Sequence, residues 1–116
     1  IDVFSPTYST SEQIGNIEPL SGVPYVDAAA CLDENGNTVI FALNRSCDQE
    51  AVLEIKYETP NKTVKKAEIT TITSEKTSDM NTLPDESIVP AARMMQTQSG
   101  SVTLAKHSVN RIVLLP

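Results

Sequence analysis

Carboxylates are the residues of this chain most able to do chemistry: Asp27, Asp33, Glu34, Glu54, Glu58, Glu68, Asp79, Asp85 and Glu86. A glycosidase sets two of them roughly 5 to 10 Å apart across a scissile bond and raises the pKa of one by desolvation. Most of these acids fall in turns or on the polar side of strand-like segments, where nothing desolvates them. Asp27 differs, because Tyr25-Val26-Asp27-Ala28 is otherwise apolar. A carboxylate in such a setting must find hydrogen bonds, so its expected task is to hold backbone amides or a loop side chain.

Other chemistries have fewer candidates. Asp33-Glu34-Asn35-Gly36-Asn37 offers oxygen ligands at alternate positions, like the start of a calcium loop, but the glycine comes two places early and no distal glutamate follows. A turn accounts for these residues without an ion. His107 is the sole histidine, which excludes a multi-histidine metal site and leaves a solvated turn histidine as its expected state. Sugar-binding modules present aromatic platforms, yet there is no Trp, and Phe4, Tyr8, Tyr25, Phe41 and Tyr57 are scattered. Phe41 alternates with Val39 and Leu43 and is expected in the core. Asn44-Arg45-Ser46 and Asn61-Lys62-Thr63 match the glycosylation acceptor pattern. No catalytic, cofactor-binding or metal-binding residue is assigned, and no cofactor is expected.

The elements that carry these side chains are strands. Two apolar runs, about Tyr25 to Leu32 and Thr38 to Asn44, flank Asn35-Gly36, the pair that suits a two-residue type I′ hairpin turn. With that turn, Cys31 faces Ile40. Ala51 to Tyr57 alternates, with Leu53, Ile55 and Tyr57 on one face and Glu54 and Lys56 on the other. Thr63 to Ile72 is β-branched, Met94 to Gln98 is a short strand, and Val102 to Ala105 and Ser108 to Leu115 flank Lys106-His107. Pro84 and Pro90 punctuate a long polar connection from 73 to 90. No segment keeps a helical period. The pattern predicts an all-β, antiparallel β-sandwich of jelly-roll or Greek-key type.

Composition sets outer limits. At 116 residues, 40% hydrophobic and 21% charged, the chain can build one packed core. Its net charge of -6 opposes the phosphate-neutralising surface needed for nucleic acid, and anionic membranes are disfavoured likewise. No apolar run reaches membrane-spanning length, and no basic segment leads into an apolar one as in a secretory signal. The chain starts at Ile1 and reads as a fragment or a processed piece. Cys31 and Cys47 lie on the order of 20 Å apart by strand arithmetic, too far for a disulfide. Two free thiols lean toward a reducing compartment; localisation otherwise stays open.

Several short pieces, in order, resemble the C-terminal domain of family 51 glycoside hydrolases, the α-L-arabinofuranosidases. They are Pro6-Thr7-Tyr8-Ser9-Thr10, Val23-Pro24-Tyr25-Val26-Asp27-Ala28-Ala29-Ala30, Phe41-Ala42-Leu43-Asn44-Arg45-Ser46, Asn81-Thr82 with Pro84, Val89 and Pro90, and Lys106-His107-Ser108-Val109. The resemblance implies a β-sandwich beside a (β/α)8 barrel that holds the two catalytic glutamates. No segment here resembles those barrel motifs, so the chain alone is expected to be inactive while its parent hydrolyses terminal α-L-arabinofuranosyl residues of arabinan or arabinoxylan. It implies residues 1–22 as an extended lead-in from the barrel, partly packed on the sandwich, and residues 23–116 as the sandwich. It also implies a sandwich completed by residues from before the barrel. The expected partner is the barrel, with a homo-oligomer as a further expectation. An independent carbohydrate-binding module and an Ig-like interaction domain are the alternatives, the latter lacking the Cys…Trp…Cys signature.

Overall fold

The computed structural model describes residues 2–13, 15–56, 66–84, 86–96 and 100–116, with backbone alone at 95 and 96. Nine strands follow in order: β1 (Thr7–Tyr8), β2 (Val23–Pro24), β3 (Val26–Leu32), β4 (Thr38–Asn44), β5 (Ala51–Glu54), β6 (Lys66–Ile72), β7 (Ala91–Gln96), β8 (Ser101–Leu104) and β9 (Ser108–Leu115). A five-stranded sheet has the order β3-β4-β9-β6-β7, and β5 pairs with β8 in a second, two-stranded sheet. All described pairings are antiparallel. The chain changes sheet between β4 and β5, returns at β6, leaves again after β7 and returns at β9. The fold is the all-β sandwich that strand periodicity predicts.

The core lies between the two sheets. Ile40 and Ala42 of β4, Ile112 and Leu114 of β9, and Ala67 and Ile69 of β6 meet Val102 and Leu104 of β8. Register places them in rows: Ile40, Ile112 and Ile69 stand opposite one another across three strands. Burying each large aliphatic side chain contributes about 1.5–3 kcal/mol, and the β-branched residues suit the pleat. Val26, Ala28, Ala51, Leu53 and Ile55 pack on this cluster but are only partly buried.

The first hairpin departs from its predicted register by one residue. Cys31 faces Val39, not Ile40, and Leu32 faces Thr38. Gly36 has φ 79°, whereas Asn35 does not enter the positive-φ region. The Gly36 N–H donates to the Asp33 carbonyl at 3.0 Å, and the Asp33 N–H to the Asn37 carbonyl at 2.9 Å. This is a three-residue loop built on a type I turn with a left-handed glycine, not a two-residue type I′ turn. The Asp33 carboxylate explains the change. It accepts from the N–H groups of Asn35 and Asn37, both at 2.8 Å, and from the Asn37 amide at 3.1 Å, which draws Asp33 into the loop.

That shift bears on Phe41. Expected in the core, it instead lies on the outer face of the five-stranded sheet, 48% exposed. Strand β4 is apolar at both parities, so alternation could not select the face that turns inward. Other expectations sit closer to the structure: β4 and β9 have the expected bounds, while β7 begins at Ala91, before Met94. Tyr57, Glu58, Asn61, Asp85 and the expected ends of strands at 63–65 and 97–98 lie outside the described residues.

Candidate functional site

The strand registers gather one end of the sandwich. Val26, Asn44, Ser108, Ile72 and Ala91 are the β3, β4, β9, β6 and β7 termini at that end. The lead-in, the 45–50 loop, the Lys106-His107 turn and the 73–90 connection all emerge there. The pieces that carry the family resemblance are therefore far apart in sequence but share one end of the fold.

The lead-in is strapped to this end by backbone and side-chain bonds. β1 pairs with β2, and the Tyr8 and Tyr25 rings contact at a centroid distance of 4.8 Å. The Tyr25 N–H donates to the Pro6 carbonyl at 3.0 Å. Val26 donates its N–H to the Ser5 hydroxyl at 3.0 Å. Arg45 ties the next layer: its guanidinium donates to the Pro24 carbonyl at 2.9 Å and reaches Asp27 at 3.5 Å. Asp27 also accepts the Ala28 N–H at 2.9 Å. Asp27 thus holds a backbone amide and a loop arginine as expected, but it is exposed, so the ion pair adds little stability. Ala28 and Val26 have outward N–H groups on the free edge of β3, and these two caps blunt that edge.

Buried amides hold the interior of the same end. Asn44, 2% exposed, donates from Nδ2 to the carbonyls of Gln49 and Ala105, both at 3.0 Å, and accepts the Ser46 N–H on Oδ1 at 3.0 Å. Asn110 donates to the Ala42 carbonyl and the Ser108 hydroxyl and accepts from the Thr71 hydroxyl at 2.8 Å. Fully partnered polar groups of this kind fix alignment between strands. Asn44 is therefore spent on the fold, and its acceptor pattern is inaccessible to a glycosyl donor. Sequence reasoning passed over Asn110, although an Asn inside the apolar run of β9 was the available signal.

His107 is in a turn, as expected, but its ring is not solvated. Its φ is 34°, its N–H donates to the Ser46 carbonyl at 2.7 Å, and Nε2 is buried with no partner among the described residues. In the 73–90 connection, Asn81 pairs its side chain with the backbone of Ile88 in both directions, at 2.8 and 2.9 Å. That clip closes a loop carrying the exposed Leu83 and an open depression lined by Asn81, Thr82, Leu83, Glu86 and Val89.

The acids do not assemble into catalytic machinery. Asp33 is committed to its turn, where the Asn37 N–H holds its carboxyl below the usual carboxylate range, opposite to the need of a general acid. Asp79 accepts the Lys76 N–H at 2.8 Å within the loop, and Glu54 is exposed on the outside of β5. Glu68 stands opposite Val113 on the outer face of the large sheet. No group of three or more His, Cys, Asp or Glu side chains converges among the described residues. Cys31 and Cys47 are both free and exposed. Tyr8 and Tyr25 stack on each other and do not form an open platform.

No family profile and no curated protein sequence matches the chain. Solved structures do. A structure described as an arabinofuranosidase superposes with a TM-score of 0.80 at 23% identity, covering 97% of this chain and 24% of that one. The α-L-arabinofuranosidase of Thermotoga maritima, solved as an arabinose complex, gives 0.77 at 22% identity over 96% and 24%. The thermostable GH51 α-L-arabinofuranosidase of Thermotoga petrophila RKU-1 gives 0.73 at 21% identity over 84% and 21%. The chain spans less than a quarter of the solved chains it matches. At these identities the likeness is one of fold: this chain has the architecture of a small domain found within arabinofuranosidases.

Proposed function

We propose that the chain is a non-catalytic, C-terminal accessory domain of an α-L-arabinofuranosidase, which packs beside and supports a separate catalytic domain. In this reading residues 1–22 lead in from that domain, residues 23–116 form the sandwich, and the sugar chemistry belongs to the rest of the protein. The observation that carries it is the match of nearly the whole chain to under a quarter of solved arabinofuranosidases.

The sandwich itself supports the reading because it is lopsided. Five strands at about 4.8 Å spacing form one sheet and only two form the other. β5 is paired only with β8 among the described strands, and the apolar residues around it, Val26, Ala28, Leu53 and Ile55, are left half-covered. A further strand beside β5, drawn from a longer polypeptide, would close that flank. The test is the reading frame that encodes the chain: a barrel-length segment with two catalytic glutamates supports the proposal, and a frame without one refutes it.

A further inference from the structure

The outer face of the five-stranded sheet is not built to meet water. On a sandwich the outward positions of each strand are ordinarily polar. Here β4 points Val39, Phe41 and Leu43 outward, and β9 adds Val109, Val113 and Leu115. Register arranges them in rows: Leu43, Val109 and Ile72 stand side by side, Phe41 faces Arg111, and Val39 faces Val113 with Glu68 beyond. Val39 and Val113 are only 3% and 6% exposed, but Phe41 and Val109 are 48% and 49% exposed, and Ile72 and Met94 are also exposed. Strands that are apolar on both faces are characteristic of sheets covered on both sides. The outer face of the small sheet differs, offering Glu54 beside Val52.

We propose that this face, centred on Phe41, Arg111 and Val109, is the docking surface for the larger domain of the same polypeptide, and that the docked surface is apolar and carries a carboxylate facing Arg111. This rests on the accessory-domain reading, which supplies the occupant: more than three quarters of each matching chain lies outside the region this chain covers. Charge selects the chemistry. Arg111 stands in the middle of the apolar rows, and no carboxylate forms an ion pair with it among the described residues. Covering it without a counter-charge would bury an unpaired cation. A second copy stacked on the face about a two-fold axis near Arg111 would bring two guanidinium groups together, which disfavours that occupant. The patch spans three rows along the strands and three strands across, about 13 by 10 Å, the scale of a packed secondary-structure element.

Hydroxyl-radical footprinting read by mass spectrometry tests the assignment in the 116-residue chain and in the full-length parent. Phe41 and Met94 label readily in the chain and at least fivefold more slowly in the parent, while Val52 labels equally in both. Arg111→Glu raises Phe41 labelling in the parent, and Arg111→Lys restores most of the protection. Equal Phe41 labelling in chain and parent overturns the docking proposal even if the parent is an active arabinofuranosidase, so the accessory reading survives that result. Protection in the chain alone that grows with concentration assigns the face to a second copy and also overturns it. A parent without arabinofuranosidase activity refutes the accessory reading separately, whatever the footprint.

Discussion

The side-chain amide of Asn44 donates to the Ala105 carbonyl at 3.0 Å, joining the end of β4 to the turn that follows β8, 61 residues later. The same amide reaches Gln49 and accepts from Ser46, so one side chain aligns three segments of the sandwich end. Asn44→Ala strands buried carbonyls and is expected to cost about 2–3 kcal/mol. Urea unfolding of the variant beside the native chain measures it. The same burial predicts that expression through a glycosylating secretory route leaves Asn44 unmodified, which peptide mass spectrometry reads directly.

Core and outer face should respond unequally in the isolated chain. Ile69 is fully buried between the sheets, and Ile69→Ala is expected to cost about 2–5 kcal/mol. Phe41→Ala removes a larger side chain, yet about half of its surface is already in water. Its cost is expected below about 2 kcal/mol. Thermal unfolding of the two variants ranks them, and a larger loss at Phe41 would contradict the outward placement.

Two left-handed glycines separate conformational from steric cost. Gly36 has open space where a Cβ would project, so Gly36→Ala bears only the left-handed backbone penalty, about 1 kcal/mol. At Gly100, φ is 69° and an added Cβ would lie 2.9 Å from the Ile55 carbonyl oxygen. That carbonyl belongs to the residue whose N–H donates to Gly100, at the end of the β5–β8 pair. Gly100→Ala is expected to cost about 2 kcal/mol or more, since backbone must move. Denaturant midpoints of the two variants compare them.

Asp33 predicts an acid-side dependence. Its carboxyl is held below its unfolded value, first by the Asn37 N–H. The ionised form therefore stabilises the hairpin fully above about pH 4, and that contribution is lost as pH falls through the lower folded value. Asp33→Asn cannot titrate. The stability gap between native chain and variant should narrow as the medium is acidified from pH 5 toward pH 2, measured by urea midpoints at each pH. A gap that widens in acid would mean the carboxylate is not the stabilising form.

Much of the fold is legible in the residues, and the failures have identifiable physics. β4 and β9 are long, apolar and bounded by turn residues, so their limits follow from pattern alone. The hairpin register does not, because Asn35-Gly36 serves two loop types and the choice between them is made by the Asp33 carboxylate. Phe41 is misplaced for a related reason: with both faces of β4 apolar, the inward face is set by packing on β8, a contact about 60 residues away in sequence. β1 and β2 are two-residue strands without a period, and their pairing depends on Ser5 and Tyr25 meeting across the lead-in. The acids were correctly read as turn and surface groups at Asp33 and Asp79. The meeting of the dispersed motif pieces at one end of the sandwich is a property of topology and has no local signal.

The central claim is that this chain serves a glycosidase without performing its chemistry, and hydrolysis of an aryl α-L-arabinofuranoside measures that directly. The account predicts no release of the aryl group above background by the purified 116-residue chain and rapid release by the full-length parent under the same conditions. Turnover by the chain alone, surviving repurification and lost on unfolding, would contradict it.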